Sequence, residues 1–112
     1  MRRQRRAVAK RQLFSVVTPL GYRVALSRDR WRQIVGFKHP ALKGSEKAIR
    51  QCLETPALIR ESLKEADVHL YYKESDKGYI CVATAPGEDD TRFVVTAYYT
   101  RNIKKGTELW KK

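Results

Sequence analysis

The sequence predicts an α+β fold in which N-terminal helices pack on a twisted antiparallel β-sheet of four to five strands. Two observations predict this class. Apolar residues recur at helical spacing in the first half of the chain, and three β-rich runs separated by turn residues occupy the second half. A length of 112 residues suits one domain. We therefore expect a single domain over residues 13–112, preceded by a basic, disordered arm over residues 1–12.

The first elements are predicted to be a hairpin and a helix. Residues 13–18 and 22–26 are short β-branched runs, and the Pro-Leu-Gly sequence between them is typical of a turn. Ser27 then suits the N-cap of a helix that we expect to end near Lys38, because the proline after His39 disfavours helical geometry there. His39 is therefore expected at or just beyond the helix end, where its side chain can project from the domain.

A second helix is predicted to start at Ser45, its expected N-cap. The residues expected to form its buried stripe lie at helical spacing: Ala48, Ile49, Cys52 and Leu53. The Thr-Pro pair that follows ends this helix. Periodicity leaves residues 56–63 open, as either a short helix or the first strand of a hairpin.

Three strands are predicted at residues 68–73, 79–85 and 92–100, where β-branched and aromatic residues are concentrated. The segments between them are rich in Gly, Ser and Asp, as turns are. These runs indicate an antiparallel meander, and a last short strand is expected over residues 107–111.

The alternation of side chains along a strand predicts which residues face the helices. The more apolar alternate residues are expected against the helices: Val68, Leu70, Tyr72, Phe93, Val95, Ala97 and Tyr99. The other alternate residues are expected on the open face: His69, Tyr71, Lys73, Val94, Thr96 and Tyr98. Hydroxyls, an imidazole and an ammonium on one face suit phosphate binding and proton transfer, although no glutamate falls there. A solvated polar face without function has the same composition.

The charge of the chain favours a polyanionic partner. Lys and Arg number 24 against 12 Asp and Glu, which gives a net charge of +12. The excess lies at the termini, with six basic and no acidic residues in 1–12 and five basic and one acidic residue in 101–112. Nucleic acid, bound in a salt-dependent way, is the expected polyanion. A solubilising tail and a solvated C-terminal strand would have the same charge.

Several classes of protein are disfavoured. No apolar run approaches the ~20 residues of a membrane span, and no apolar segment follows the basic N-terminal residues as in a secretory signal. Cys52 and Cys81 form no CxxC pair, so we expect buried free thiols, no metal site and a cytoplasmic location. Motifs of nucleotide-binding loops, zinc proteases and serine hydrolases do not occur.

Four strings occur in an order found in a known nuclease superfamily. They are Trp-Arg-Gln-Ile with Lys-His-Pro-Ala-Leu in residues 31–42, Thr-Pro-Ala-Leu-Ile-Arg-Glu-Ser in 55–62, Val-His-Leu-Tyr-Tyr-Lys in 68–73 and Phe-Val-Val-Thr-Ala-Tyr in 93–98, followed by Gly106 and Trp110. Together they resemble the phage-associated branch of the barnase–EndoU–colicin–RelE-like (BECR-fold) nucleases. The resemblance covers nearly everything but the basic arm.

The resemblance implies a metal-independent endoribonuclease that needs no cofactor and holds RNA on the open face of its sheet. The ribose 2′-OH would attack the adjacent phosphorus, giving a 2′,3′-cyclic phosphate and a free 5′-OH. Domains of this branch are often toxin-like, so a cognate antitoxin or immunity protein is a further expected partner besides RNA.

The resemblance also implies a set of site residues. The implied catalytic residues are His39, Arg60, Thr96 and Tyr98, and the implied substrate-binding residues are Ser62, Tyr71 and Lys73. His39 would be the general acid or base, and Arg60 would clamp a phosphate, because a guanidinium binds two oxygens at once. Three alternatives stay open: His39 caps a helix end, Arg60 pairs with a nearby glutamate, or the domain binds nucleic acid or protein without catalysis.

Overall fold

The computed structural model describes residues 11–112, which form a seven-stranded sheet with two short α-helices against one face. The strands are β1 (Gln12–Val17), β2 (Arg23–Ser27), β3 (Leu58–Ser62), β4 (His69–Ser75), β5 (Gly78–Pro86), β6 (Thr91–Thr100) and β7 (Gly106–Lys111). Their order in the sheet is β1-β2-β6-β5-β4-β3-β7. Residues 1–10 of the predicted arm lie outside the described range, and Gln12 already belongs to β1.

The predicted architecture, with N-terminal helices on four to five antiparallel strands, is wrong. The sheet has seven strands and is mixed, because β2 pairs in parallel with β6 through Arg23–Ala25 and Thr91–Phe93. Residues 58–62 form β3, and β7 pairs antiparallel with β3 at the far edge. These additions are pairings between segments far apart in the chain, which the residue pattern of a single strand does not encode.

The elements that depend on local signals were predicted correctly. β1 and β2 form the expected antiparallel hairpin, and β4, β5 and β6 form the expected antiparallel meander. Gly21 in the hairpin turn has φ +89°, a left-handed conformation that glycine adopts without steric cost. The last predicted strand is present as β7.

The first predicted helix is interrupted before its expected end. Helix α1 covers Arg28–Gln33, a π-helical turn follows at Ile34–Lys38, and a 3₁₀ turn covers Pro40–Leu42. The Ser27 N-cap is confirmed, since its Oγ accepts a hydrogen bond from the N–H of Arg30 at 3.0 Å. The sequence showed the helix start through its cap, whereas a π-helical turn has no comparable sequence signal.

Helix α2 covers Glu46–Glu54 and buries the predicted stripe, with Ile49, Cys52 and Leu53 fully enclosed. Ser45 precedes it, but its side chain does not cap the helix. The Ser45 Oγ instead lies 3.0 Å from the Tyr99 Oη, which ties the helix start to β6. We call the sheet face that contacts α1 and α2 the helix face, and the opposite one the open face.

The predicted orientation of β4 is reversed. Tyr71 is fully buried on the helix face, and its hydroxyl donates to the Thr18 Oγ1 at 2.9 Å. The Lys73 Nζ donates to the carbonyl oxygen of Thr55, just past the end of α2. Leu70 and Tyr72 lie on the open face in a second apolar cluster. Each alternate set of β4 contains one tyrosine, so apolar character alone did not decide between the two faces.

A β-bulge in β6 reverses the predicted facing of part of that strand. Ala83 of β5 lies opposite Thr96, whereas the next residue lies opposite Val94, so Val95 is the extra residue. Beyond this bulge Val94 is buried in the core, although it was predicted on the open face. Phe93, which was predicted in the core, is 37% exposed. Thr96 and Tyr98 lie on the open face.

The buried hydroxyl pair provides a test of the corrected orientation. We expect Tyr71→Phe to lower the free energy of unfolding by about 1–2 kcal/mol, because the buried Thr18 hydroxyl loses its partner. Urea unfolding measures this loss. Thr18→Val should lower the free energy of unfolding less when it is introduced into Tyr71→Phe than when it is introduced into the wild type. Tyr79→Phe is the matched control. Tyr79 is half-buried on the open face, so its substitution should change the free energy of unfolding little. Equal effects of the two tyrosine changes would contradict the assignment.

Candidate functional site

Of the seven site residues predicted from the sequence resemblance, Arg60, Thr96 and Tyr98 lie on the open face, and a fourth, His39, lies at its edge. Arg60, Leu70, Ala83 and Thr96 lie opposite one another in a row across β3, β4, β5 and β6. Tyr98 is two residues further along β6 and shares the face of Thr96. Three strand spacings separate the backbones of Arg60 and Thr96, which is roughly 14 Å. The two middle residues of this row, Leu70 and Ala83, are buried in the second apolar cluster.

His39 is brought to Tyr98 by the π-helical turn. Its backbone N–H donates to the carbonyl oxygen of Ile34 at 2.7 Å, which closes the turn and ends the helical segment, as predicted. The half-buried imidazole lies edge-on to the phenol ring of Tyr98, with ring centroids 5.5 Å apart. The imidazole therefore stands at the free edge of β6, beyond the three residues that pair with β2.

The loop between β6 and β7 joins Arg60 to Tyr98. The Arg60 Nη1 donates to the carbonyl oxygen of Lys104 at 3.0 Å, and the Lys104 N–H donates to the Tyr72 Oη at 3.1 Å. The Lys104 Nζ lies 5.5 Å from the centroid of the Tyr98 ring. Lys104 was not among the site residues predicted from the sequence. The only sequence signal for it was the basic character of residues 101–112.

Residues 38–42, the end of β6 and Lys104 line a shallow, open cavity of about 510 Å³, which we call the His39 cavity. Its basic lining residues are Lys38, His39 and Lys104, and Tyr98 and Tyr99 also line it. Among residues 11–112 no acidic side chain lines it. The cavity is therefore suited to a negatively charged group.

The hydroxyl and thiol groups of this face are neutral donors. Burial raises the pKa of Tyr98, and the nearby Cys81 raises it further. Burial also raises the pKa of Tyr72 to about 12 and that of Cys81 to about 11. These groups keep their protons near neutral pH. They add no negative charge that would repel an anion.

Two polar atoms of the open face are buried without a hydrogen-bond partner within the described part of the chain. They are the Arg60 Nε and the Thr96 Oγ1. Buried polar atoms in folded proteins nearly always have a partner, because leaving one unpaired costs about 1–3 kcal/mol. Both atoms belong to the row that runs across the open face. Leu70 and Ala83 between them are buried as well, so this part of the row is shielded from solvent.

The other three predicted site residues are engaged elsewhere. The Ser62 Oγ accepts hydrogen bonds from the N–H groups of Lys64 and Glu65, so it stabilises the turn after β3. Tyr71 and Lys73 lie on the helix face, bonded to Thr18 and Thr55 as described above. The structure therefore brings together His39, Thr96 and Tyr98, holds Arg60 further along the same face, and separates Tyr71 and Lys73 from them.

Glu108 in β7 lies directly opposite Arg60 in β3 and so shares the open face with it. The expectation that no glutamate falls on this face is therefore wrong. The prediction missed Glu108 because it considered only the strands of the meander, and β7 joins the sheet at its far edge. Four strand spacings, roughly 19 Å, separate its backbone from that of β6.

A second polar cluster, which the sequence did not indicate, lies on the helix face. Arg92 is buried, and its guanidinium donates to the Thr84 Oγ1, the Thr84 carbonyl and the Asp67 carbonyl. Its guanidinium carbon lies 5.4 Å from the ring centroid of Tyr22, which also contacts His69 at 5.9 Å. The sequence signal for this cluster was Arg92 itself, a charged residue within the apolar strand β6. These bonds are to backbone and hydroxyl groups and tie strands and turns together.

Within residues 11–112, no three His, Cys, Asp or Glu side chains lie together in an arrangement that could hold a metal ion. No helix in this range has the length and apolar character needed to cross a membrane.

Comparisons with known proteins add no assignment. Scans against protein-family models, curated proteins and solved structures each found no match to this chain. The resemblance to the BECR-fold nucleases, which the four sequence strings carry, therefore stays a prediction.

The buried imidazole of His69 predicts a pH dependence of stability. Burial lowers its pKa below the ordinary value of 6.5, and the positive charge of Arg92 lowers it further, against the opposing influence of Glu61 and Asp67. The unfolded chain then binds more protons than the folded one just below pH 6.5, so stability is lost as the pH falls through this window. Urea unfolding at several pH values measures the slope.

His69→Phe is the matched variant for this measurement, because it keeps an aromatic ring beside Tyr22 but cannot be protonated. We expect the pH dependence just below 6.5 to be smaller in His69→Phe than in the wild type. An unchanged slope would show that other groups cause it.

Proposed function

We propose that this protein is a metal-independent endoribonuclease that cleaves RNA at the His39 cavity. One observation carries the proposal. The His39 imidazole and the Lys104 ammonium both contact the ring of Tyr98, and all three residues line a cavity whose described lining has no acidic side chain. The 2′-OH of a ribose attacks the adjacent phosphorus, the bond to the 5′-oxygen breaks, and a 2′,3′-cyclic phosphate and a 5′-OH are formed. This reaction needs proton transfer and phosphate binding, which these residue types supply.

The proposed roles follow from the contacts. His39 transfers a proton to or from a ribose oxygen, since an imidazole does both near neutral pH. The Lys104 ammonium binds a non-bridging phosphate oxygen, and the Tyr98 hydroxyl, which keeps its proton, donates to a second one. The three groups border one cavity, so they can serve the same phosphate.

Arg60 is assigned to a neighbouring phosphate instead of the reacting one. Its backbone lies three strands from that of Tyr98, and its Nη1 is already bonded to the Lys104 carbonyl. The buried Arg60 Nε and Thr96 Oγ1 are proposed to donate to the RNA strand after the β6–β7 loop, which is bonded to Arg60 and Tyr72, moves away from this face.

The net charge of +12 supports a polyanionic substrate, and the use of the 2′-OH restricts the reaction to RNA. We further propose a cytoplasmic site of action, because both described cysteines are free and buried. A cell that makes such an enzyme needs protection from it. An acidic antitoxin or immunity protein that covers the His39 cavity is therefore part of the proposal.

A second candidate function is RNA binding without cleavage. The observation that favours it is the distance of the open-face glutamates from the backbone of β6, beside which His39 lies: Glu108 is four strand spacings away, and Glu74, opposite Tyr79, is two. A carboxylate at that distance cannot share one phosphate with His39. If His39 has no second proton-transfer group, the face binds RNA and leaves it intact.

The cleavage proposal is tested with purified protein and RNA in the presence of EDTA. We expect RNA fragments ending in 2′,3′-cyclic phosphate, and a rate at least about 100-fold lower for His39→Ala, because proton transfer in the transition state is lost. Arg50→Ala removes an exposed charge from helix α2 and is the control with unchanged rate. Cleavage that requires added Mg²⁺, or that His39→Ala leaves unchanged, would refute the mechanism. Binding without any cleavage would favour the second candidate.

The role of Lys104 is tested by salt dependence. Lys104→Ala should weaken RNA binding and reduce the slope of log affinity against log salt by about 1, since one phosphate contact is lost. Lys77→Ala is the matched control, because the Lys77 ammonium also lies over a tyrosine ring, that of Tyr99, but does not line the His39 cavity. Equal changes in slope for both variants would show that only net charge matters.

A further inference from the structure

The aromatic side chain of Phe37 is exposed to solvent. It is 85% exposed, more than any other large apolar residue in the described range. Chains of this size usually shield a phenylalanine, because its transfer from water is worth about 1.5–3 kcal/mol. Phe14, by comparison, packs against the core. The exposure of Phe37 therefore needs a cause in the local backbone.

The π-helical turn supplies that cause. In an α-helix, Phe37 would follow Ile34 by three residues and share its buried face. In the structure the turn closes with the hydrogen bond from the His39 N–H to the Ile34 carbonyl, which joins residues five apart. The wider turn rotates Phe37 away from the face that buries Ile34. One backbone device thus places His39 at Tyr98 and presents Phe37 to solvent.

The surroundings of Phe37 are basic. Residues 36–43 contain Lys38, His39 and Lys43 and no acid. Lys38 and His39, the two residues that follow Phe37 in the chain, line the His39 cavity. Arg32 on the preceding helix is paired with Asp29, which neutralises the nearest carboxylate of that helix. An apolar ring in a positively charged setting complements a nucleotide, which offers an aromatic base next to a phosphate.

We propose that Phe37 stacks on an unpaired base of the RNA strand whose phosphate occupies the His39 cavity. This inference rests on the proposed function and specifies its substrate as single-stranded RNA, because a base inside a duplex has no free face for stacking. The stacking tolerates any base, so it orients the strand without selecting a sequence. Phe37 is thus a substrate-positioning residue and takes no part in proton transfer.

The test measures the affinity of the full chain for a short single-stranded RNA with 2′-O-methyl groups, which binds but cannot be cleaved. We expect Phe37→Ala to bind about 5- to 100-fold more weakly, and Phe37→Trp to bind like the wild type. Val17→Ala, which removes another exposed apolar side chain (50% exposed), is the control with unchanged affinity. Unchanged melting temperatures would show that all three variants fold.

Two further readouts separate stacking from general contact. The tryptophan of Phe37→Trp should be quenched by single-stranded RNA, and the difference between wild type and Phe37→Ala should shrink with an abasic oligonucleotide. Duplex RNA should bind wild type and Phe37→Ala alike. Equal affinities of wild type and Phe37→Ala for the single strand, or no binding at all, would overturn the inference.

These outcomes are independent of cleavage. If the wild type binds the strand through Phe37 but never cuts RNA, the nuclease proposal fails and the stacking site stands. If RNA is cut as proposed but Phe37→Ala binds and cuts like the wild type, only the stacking inference fails. Loss of affinity for an acidic protein but not for RNA would assign Phe37 to a protein interface and overturn the inference.

Discussion

The short parallel pairing between β2 and β6 is the constraint on which the candidate site depends. It joins only three residues of each strand, Arg23–Ala25 and Thr91–Phe93, and leaves the second half of β6 with a free edge. The chain that leaves β2 through helix α1 passes that edge and places the π-helical turn beside it. A longer pairing would fill the edge with β2 and keep His39 away from Tyr98. The site therefore exists because the sheet is incompletely paired at this point.

The bulge at Val95 gives β6 two uses. On its N-terminal side, Arg92 and Val94 point to the helix face, where one binds backbone carbonyls and the other fills the core. On its C-terminal side, Thr96 and Tyr98 point to the open face. An unbroken alternation would bury Arg92 and Thr96 on the same side. One extra residue thus lets a single strand complete the core on one face and place Thr96 and Tyr98 on the other.

The sequence predicted what local chemistry determines. The Pro-Leu-Gly turn, the Ser27 cap and the stripe of α2 were visible because each depends on residues within one turn of each other. The parallel pairing, the strand β3 and the facing of β4 depend on partners distant in the chain. Tyr71 illustrates the limit: its burial depends on a hydroxyl of Thr18, more than fifty positions away. His39 was proposed as a site residue from its neighbours in the sequence, whereas the positions of Lys104 and Glu108 depend on the pairing of β7 with β3 and on the loop that leads to it.

The buried guanidinium of Arg92 has a consequence for how the molecule comes apart. It cannot lose its proton at accessible pH, and it is bound to carbonyls of two separate segments, with the Tyr22 ring over it. If the N-terminal hairpin detached, the guanidinium would lose its contact with the Tyr22 ring but would stay bonded to the carbonyl oxygens of Asp67 and Thr84. Its N–H groups would therefore stay occupied, and partial opening would gain little hydration of the charge. The hairpin, the turn before β4 and the central strands should accordingly exchange their amide hydrogens as one cooperative unit.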